Sequence, residues 1–298
     1  MPPQTDTLAE FARLTRVLLK HPREAFGSDE RIAGEWKPLN FGAPPSFTRA
    51  IEEYDALVEI LRSAGVQIDC LPAAEQTNLD SLYVRDGSIV CSRGVILCRM
   101  GKRLRAAEPA AQRAAYRSLG IPVIGEITEP ACLEGGDVVW LDDRTIAVGH
   151  GYRTDEEGIL QLRGLLGDTI DELIVVSLPH WHGPGEVLHL MSLIRPVDRD
   201  LAVVYSPLLP VAFRQRLVAQ GCQLIEVPHD EFETMGTNVL ALGPRDCVVL
   251  AGNPRTRQAL ERAGARVREY VGEEISVKGG GGPTCLTRPL ARAPAPPG

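Results

Sequence analysis

The sequence predicts an α/β protein made of five ββαβ units in a closed, radially repeated arrangement. One pattern carries this prediction: an amphipathic helical stretch ends at a glycine, and a short β-branched run follows it. A repeat of roughly 50 residues is typical of solenoids, propellers and arrays, and five copies are few for an open solenoid with caps. A plain α/β sheet of alternating elements is the alternative. The helix-ending glycines are Gly65, Gly120, Gly167, Gly221 and Gly264, separated by 55, 47, 54 and 43 residues.

The elements follow one another in a regular order along the chain. Helix-plus-strand copies occupy 49–72, 110–127, 158–179, 211–228 and 255–271. Strand-like runs lie between them, at 88–100, 137–149, 201–207 and 238–252. Several of these runs contain a central turn-forming dipeptide, as expected of paired strands.

The length suits one large domain or two small ones, and no linker segment divides the chain. The chain has 298 residues, 44% of them hydrophobic and 24% charged, with a net charge of −7. We expect a single domain over 1–290 and a disordered Pro/Ala-rich tail over 291–298. The absence of a basic block argues against nucleic acid and membrane surfaces as partners. Seven cysteines without a CxxC pair, and a start unlike a signal peptide, favour the cytoplasm.

The most polar, glycine-rich segments follow the ends of the closing strands. If the units are related by rotation, these segments meet on one axis. Asp86, Glu134, His189, Asn238 and Cys285 would then share one central site. The Gly- and Pro-containing segment 21–47 raises the further hypothesis of a lid over that site.

Cys285 differs from the other cysteines in its surroundings. It follows four glycines and a proline, whereas five of the others lie in apolar strand-like runs where cysteine is inert. An open polar loop suits a reactive thiolate, although a structural turn explains the glycines equally well. His189, flanked by apolar residues, is either a catalyst or a hydrogen-bonded core histidine.

A metal site is a further alternative for the histidines. His180 and His182 have a spacing that fits two ligands from one strand, and His189 or Glu186 would complete the set. The segment HWHGPG also fits an exposed turn.

Four segments taken in order resemble the guanidino-group-modifying superfamily. They are YVRD, EGGD, LHL and GGGGPTCLTRPL, and the likeness runs from about residue 40 to residue 290. The resemblance implies a five-bladed pseudo-symmetric α/β propeller of ββαβ units. It also implies Asp86 as the guanidinium-binding carboxylate, Glu134 as partner of the catalytic His189, and Cys285 as nucleophile.

Within the superfamily the sequence is most similar to the dimethylarginine dimethylaminohydrolases. That likeness implies that Asp80 binds the substrate's amino group and that Arg105 and Arg153 bind its carboxylate. The segment HLM lacks the aspartate of the deiminase HLD motif, which leaves room for an alkylated nitrogen. Two features resemble arginine deiminases instead: Arg85 directly before Asp86, and the GGGGP segment that leads to Cys285. Amidinotransferases usually have a histidine directly before the nucleophile, and Thr284 at that position favours hydrolysis over transfer.

The resemblance implies a cysteine-dependent hydrolase that converts an Nω-methylated arginine to citrulline and an alkylamine through a covalent Cys285 intermediate. The alternatives are an arginine deiminase or a hydrolase of another guanidino compound, a metal-dependent hydrolase, and a non-catalytic ligand-binding propeller. We expect a small guanidino substrate as partner and neither a metal nor an organic cofactor. A homodimer is left open as the assembly.

Overall fold

The structure is a computed structural model that describes residues 7–294, and within them it contains five separate three-stranded sheets. In every sheet the middle strand pairs antiparallel with one neighbour and parallel with the other. The predicted ββαβ units and the five-bladed α/β propeller are therefore confirmed, and a single continuous sheet is not formed. The strands are β1 (Arg13–Leu19), β2 (Gln67–Cys70), β3 (Ser88–Cys91), β4 (Gly94–Leu97), β5 (Val123–Glu126), β6 (Val138–Trp140), β7 (Thr145–His150), β8 (Glu172–Ser177), β9 (Ile194–Asp198), β10 (Leu201–Val204), β11 (Gln223–Glu226), β12 (Leu240–Gly243), β13 (Asp246–Leu250), β14 (Arg266–Tyr270) and β15 (Arg288–Ala293).

A helix links the two parallel strands of each blade. These five helices pack their apolar faces against the sheets, and in the first of them Tyr54, Leu57 and Leu61 are fully buried. They occupy residues 47–63, 108–118, 156–166, 211–219 and 254–262. The described residues contain no helix long and apolar enough to cross a membrane. The helices are α1 (Pro22–Ala25), α2 (Asp29–Glu35), α3 (Phe47–Ser63), α4 (Glu108–Ser118), α5 (Glu156–Leu166), α6 (Val211–Ala219), α7 (His229–Phe232) and α8 (Pro254–Arg262).

The glycines predicted to end the helices do so in the structure. All five lie one or two residues beyond the last helical residue and have φ between 54° and 84°. In this left-handed region a side chain is strained, so glycine ends the helix and turns the chain into the third strand of the blade. The glycines are Gly65, Gly120, Gly167, Gly221 and Gly264.

The two ends of the chain close the propeller. Strand β15 pairs antiparallel with β1, with Arg13 opposite Ala293, so one blade is built from both ends of the described chain. The prediction that the tail begins at residue 291 is therefore wrong for residues 291–293, whose ladder groups pair with β1. Residues 295–298 lie outside the described residues.

The segment 21–47 packs against the body of the protein. Phe26, Ile32 and Phe41 are at most 4% exposed and belong to the same apolar cluster as α3. Side chains buried in this way cannot swing out as a unit without losing their contacts. Closure of the whole segment as a lid would therefore have to break this packing.

Candidate active site

A cavity of about 470 Å³ opens where loops from several blades meet. Its walls include seven of the residues that the sequence singles out for this site. Glu134 does not line the cavity, but it contacts a residue that does. Segments that are far apart in the sequence therefore meet at one cavity, as the repeat predicts. The seven residues are Asp80, Asp86, Arg105, Arg153, His189, Asn238 and Cys285.

His189 lies between two buried carboxylates. Its Nε2 is 2.8 Å from Glu134 Oε2, and its Nδ1 is 3.8 Å from Asp86 Oδ1. Burial alone would lower the pKa of His189, but the charges of Asp86, Asp137 and Glu134 raise it to about 9. Burial likewise opposes ionisation of Glu134, yet His189 and the nearby arginines hold its pKa below the usual value. The imidazole is thus a cation at neutral pH and can donate a proton.

The glycines of the EGGD segment make room for this histidine. A Cβ on Gly136 would lie 2.3 Å from His189 Nδ1 and 2.7 Å from Asp86 Oδ1. Both atoms belong to side chains that are held by other contacts. Only glycine therefore allows the imidazole and the Asp86 carboxylate to approach each other from this side.

We expect Gly136→Ala to lower kcat by roughly a hundredfold, since displacing a reacting group by about 1 Å has an effect of that order. The matched control is Gly164→Ala within α5, where a Cβ meets no atom within 4 Å. Steady-state kinetics of both variants, with circular dichroism to confirm folding, check this. Equal activity of the two variants would contradict the conclusion that a side chain at position 136 displaces His189 or Asp86.

Cys285 sits at the end of a glycine loop that lies flat against its neighbours. A Cβ on Gly281 would be 2.4 Å from the Tyr83 ring, and one on Gly282 would be 2.5 Å from the Asn238 side chain. Asn238 Nδ2 donates to Cys285 Sγ at 3.3 Å, and its Oδ1 accepts from the Thr284 backbone at 3.0 Å. The loop thereby fixes the position of the thiol.

The Cys285 thiol is not ionised by its resting surroundings. Burial and the nearby Asp86 carboxylate raise the pKa of Cys285, and the hydrogen bond from Asn238 opposes them only in part. A positive charge placed between Cys285 and Asp86 would favour the thiolate.

Arg105 is held by protein acceptors. It forms two 2.8 Å hydrogen bonds with the Glu108 carboxylate, one of 2.6 Å with Asp86 Oδ2 and one of 2.8 Å with the Tyr83 carbonyl. In this state Arg105 anchors Asp86 from behind. Burial raises the pKa of Glu108 to about 7, although Arg105 lowers it. Arg153 is freer, with Nη1 3.5 Å from Glu134 Oε1 as its ion pair.

Three residues at the site were not found by sequence reasoning. Lys102 Nζ is 2.6 Å from Asp80 Oδ2, and the Lys102 backbone donates to Glu134 Oε1 at 3.0 Å. Asp137 is fully buried and accepts from the Leu190 backbone at 2.9 Å, which positions the residue after His189. Glu108 is the third. Asp137 alone had a signal, since it ends the EGGD segment.

The histidines proposed as metal ligands do not form a common ligand group among the described residues. Within the described residues, the candidate metal-ligand group consists of Asp86, Glu134 and His189, and it does not include His180 or His182. His180 Nδ1 is 2.7 Å from the Tyr152 hydroxyl, on an exposed part of the chain. A protonated His189 has no lone pair to offer a metal.

The sequence of this chain is similar to one protein family and to several curated proteins. A family described as N,N dimethylarginine dimethylhydrolase, eukaryotic, matches residues 45–292. The uncharacterized protein YkgA of Bacillus subtilis is 32% identical, over 82% of this chain and 80% of its own length. The N(G),N(G)-dimethylarginine dimethylaminohydrolase of Streptomyces coelicolor is 30% identical, over 72% of this chain and 76% of its own.

A solved structure has the same fold. It is a cysteine-to-serine mutant of the dimethylarginine dimethylaminohydrolase of Pseudomonas aeruginosa, complexed with citrulline. Its TM-score with this chain is 0.75 at 23% identity, over 94% of this chain and 100% of that one.

Proposed function

Because the chain belongs to the dimethylarginine dimethylaminohydrolase family, and is a hydrolase of guanidino C–N bonds, we propose that it converts an Nω-methylated arginine to citrulline and an alkylamine. The observation that carries the proposal is the shared cavity of Cys285, His189 and Asp86, with Glu134 behind the histidine.

Asp86 is the proposed anchor of the guanidinium group. Its carboxylate is 4% exposed and is fixed by Arg105, so its position is set before substrate binds. A carboxylate and a guanidinium form paired, charge-assisted hydrogen bonds. In our proposal the bound cation lies between Asp86 and Cys285.

Cys285 is the proposed nucleophile. The cation beside it offsets the Asp86 charge, and the thiol loses its proton to solvent as substrate binds. The thiolate sulfur then forms a bond to the guanidino carbon. His189, a cation at neutral pH, donates its proton to the departing amine as the C–N bond breaks, leaving a covalent amidino-thioester on Cys285.

Water completes the proposed cycle. The neutral His189 takes one proton from the attacking water, which bonds to the carbon. The C–S bond then breaks with the sulfur leaving as thiolate, the remaining hydroxyl proton passes to that sulfur or to solvent, and the carbon becomes a neutral ureido group. Glu134 orients the imidazole and stabilises its charged form, as the acid does in other triads.

The far end of the substrate is assigned to charged residues. We propose that Asp80 binds the amino group and that Arg153 and Arg105 bind the carboxylate. Lys102 neutralises Asp80 in the unliganded site, and Arg105 keeps its bonds to Glu108. Arg153 therefore has the greater freedom to turn toward a carboxylate.

Room for an alkylated nitrogen favours a methylated substrate. Trp181, Phe232 and Met235 line the cavity together with the catalytic groups and give it an apolar wall. The residue two positions after His189 is Met191, buried and uncharged, so no acid there binds an unmethylated nitrogen. The alternative of arginine deiminase activity rests on the Arg85–Asp86 pair and the GGGGP loop.

The test is a co-product assay with dimethylarginine, monomethylarginine, arginine and agmatine. We expect ureido product and alkylamine in equal amounts from a methylated arginine. Ammonia from arginine alone would contradict the methylated substrate and support the deiminase. No turnover of any of the four would contradict both.

We also propose that the enzyme works in a reducing, cytoplasmic compartment. All seven cysteines are unpaired, and the proposed nucleophile must stay reduced to act.

A further inference from the structure

Four arginines and one glutamate are buried together behind the active site. Each of the five residues is at most 6% exposed. Glu10 precedes β1, Arg85 directly precedes Asp86, Arg195 lies in β9, and Arg288 and Arg292 lie in β15. The Arg85 backbone donates to the Cys285 carbonyl at 3.2 Å, so the group lies immediately behind the nucleophile loop. We call Glu10, Arg85, Arg195, Arg288 and Arg292 the arginine cluster.

The cluster has far more positive than negative charge. Glu10 is 2.5 Å from Arg85, 3.7 Å from Arg195 and 3.9 Å from Arg292. Burial would raise the pKa of Glu10, but these three arginines lower it to about 2, so the carboxylate is ionised. One carboxylate thus faces four guanidinium groups.

No carboxylate other than Glu10 lies within 4 Å of the cluster's guanidinium groups among the described residues. Outside the cluster, the groups that most affect the pKa of Arg288 are the Tyr116 hydroxyl and the Cys98 thiol. Burial raises the pKa of Tyr116 to about 12 and also raises that of Cys98, so both are neutral at physiological pH. Burial and the Arg85 charge lower the pKa of Arg288 to about 9, as expected of a buried cation without a counter-charge.

Several donors of the cluster have no acceptor among the described residues. Arg288 has two such groups, Nε and Nη2, and Arg85, Arg195 and Arg292 have one each. One acceptor of the cluster, Glu10 Oε2, also has no hydrogen-bond donor, so five orphan donors stand against one orphan acceptor. A buried N–H without a partner is destabilising, and more so when it is charged. A small cavity of about 20 Å³ is lined by Glu10, Arg85, Arg288 and Arg292. That volume suits one particle of about the size of a water molecule.

We propose that the arginine cluster is an anion site that binds chloride, or another monatomic halide, behind the active site. The cavity is small for a tetrahedral oxyanion, and the excess positive charge selects an anion over water. A halide accepts several N–H donors at once and so satisfies both the charges and the orphan groups.

Chloride should stabilise the fold specifically. A ligand that binds only the native state raises stability with the logarithm of its concentration. Replacing gluconate by chloride at constant ionic strength should raise Tm by about 3 °C for each tenfold increase above the dissociation constant. Urea unfolding under the same salts gives a second readout.

The matched variants are Arg288→Met and Arg13→Met. Arg288→Met should lose most of the chloride dependence, whereas Arg13→Met removes an exposed arginine outside the cluster and should keep it. If Arg288→Met fails to fold, bromide in crystals of the wild-type protein decides the matter by an anomalous peak in contact with the Arg288 guanidinium. Equal slopes for chloride and gluconate, or no bromide peak at the cluster, would overturn the proposal.

Discussion

Cys285→Ser loses turnover of the preferred substrate by at least about four orders of magnitude and still binds it. Serine is nearly isosteric, but its hydroxyl is a far weaker nucleophile, and removing a nucleophile in other triads has effects of about 10⁴- to 10⁶-fold. The groups proposed to bind the guanidinium and the amino-acid end remain in place. Calorimetry should give a dissociation constant within a few-fold of the wild-type Michaelis constant.

The control for this substitution is Cys222→Ser. Cys222 is unpaired and partly exposed like Cys285, but it lies outside the cavity of the active site. It should retain wild-type kinetics. Turnover retained in Cys285→Ser would rule out the nucleophile, and loss of binding along with turnover would mean that the loop and not the sulfur carries the effect.

His189→Gln should lower kcat by about 10²- to 10⁴-fold, the range that general acid–base catalysis contributes. Glutamine can keep a hydrogen bond to Glu134, but it neither donates a proton to the departing amine nor accepts one from water. His180→Gln is the matched control, because that histidine is exposed and bonds to Tyr152. It should leave kcat unchanged, and would lower it if His180 held a catalytic metal.

The pH dependence of turnover distinguishes a catalytic role of His189 from a purely structural one. The pKa of His189 is raised to about 9, so its acid form is present below that pH and is lost above it. The pKa of Cys285 is raised in the free enzyme, but in the proposed complex the substrate cation favours its thiolate. In wild-type protein kcat, which reports the complex, should therefore fall as the pH rises through about 9, where His189 loses its acid form. His189→Gln should lose this fall; an unchanged falling limb would contradict the acid role.

The repeat made most of the fold predictable. In each unit a glycine with positive φ ends the helix, and after it the spacing of the hydrophobic residues changes from that of a helix to that of a strand. The sequence pattern did not predict strands β9 and β15, and their composition explains why. Strand β9 contains Pro196 and the buried Arg195, and β15 contains the buried Arg288 and Arg292. Buried arginines in a strand do not give the apolar pattern by which strands are found.

Site residues that stand in a short motif were predictable from the sequence. Site residues that are placed only by contacts with residues distant in the sequence were not. Asp86, Glu134, His189 and Cys285 each stand in a recognisable segment and line or adjoin one cavity. Lys102 pairs with Asp80 across 22 positions of sequence, and nothing in its neighbours indicates this. Glu108 is typical of a first helical turn, yet it binds Arg105 with both oxygens. The structure brings these residues together, but the roles of all seven stay predictions: Cys285, His189 and Glu134 in catalysis, and Asp86, Asp80, Arg105 and Arg153 in binding substrate.

The most direct test of the central claim is the mass of the enzyme during turnover. Wild-type protein mixed with a methylated arginine is quenched in acid within milliseconds to seconds, and the intact mass and the peptide containing Cys285 are measured. We predict a transient addition equal to the substrate minus its alkylamine, located on Cys285 and absent from Cys285→Ser. Turnover that proceeds without any such adduct at all quench times, or with an adduct on another residue, would contradict covalent catalysis by Cys285.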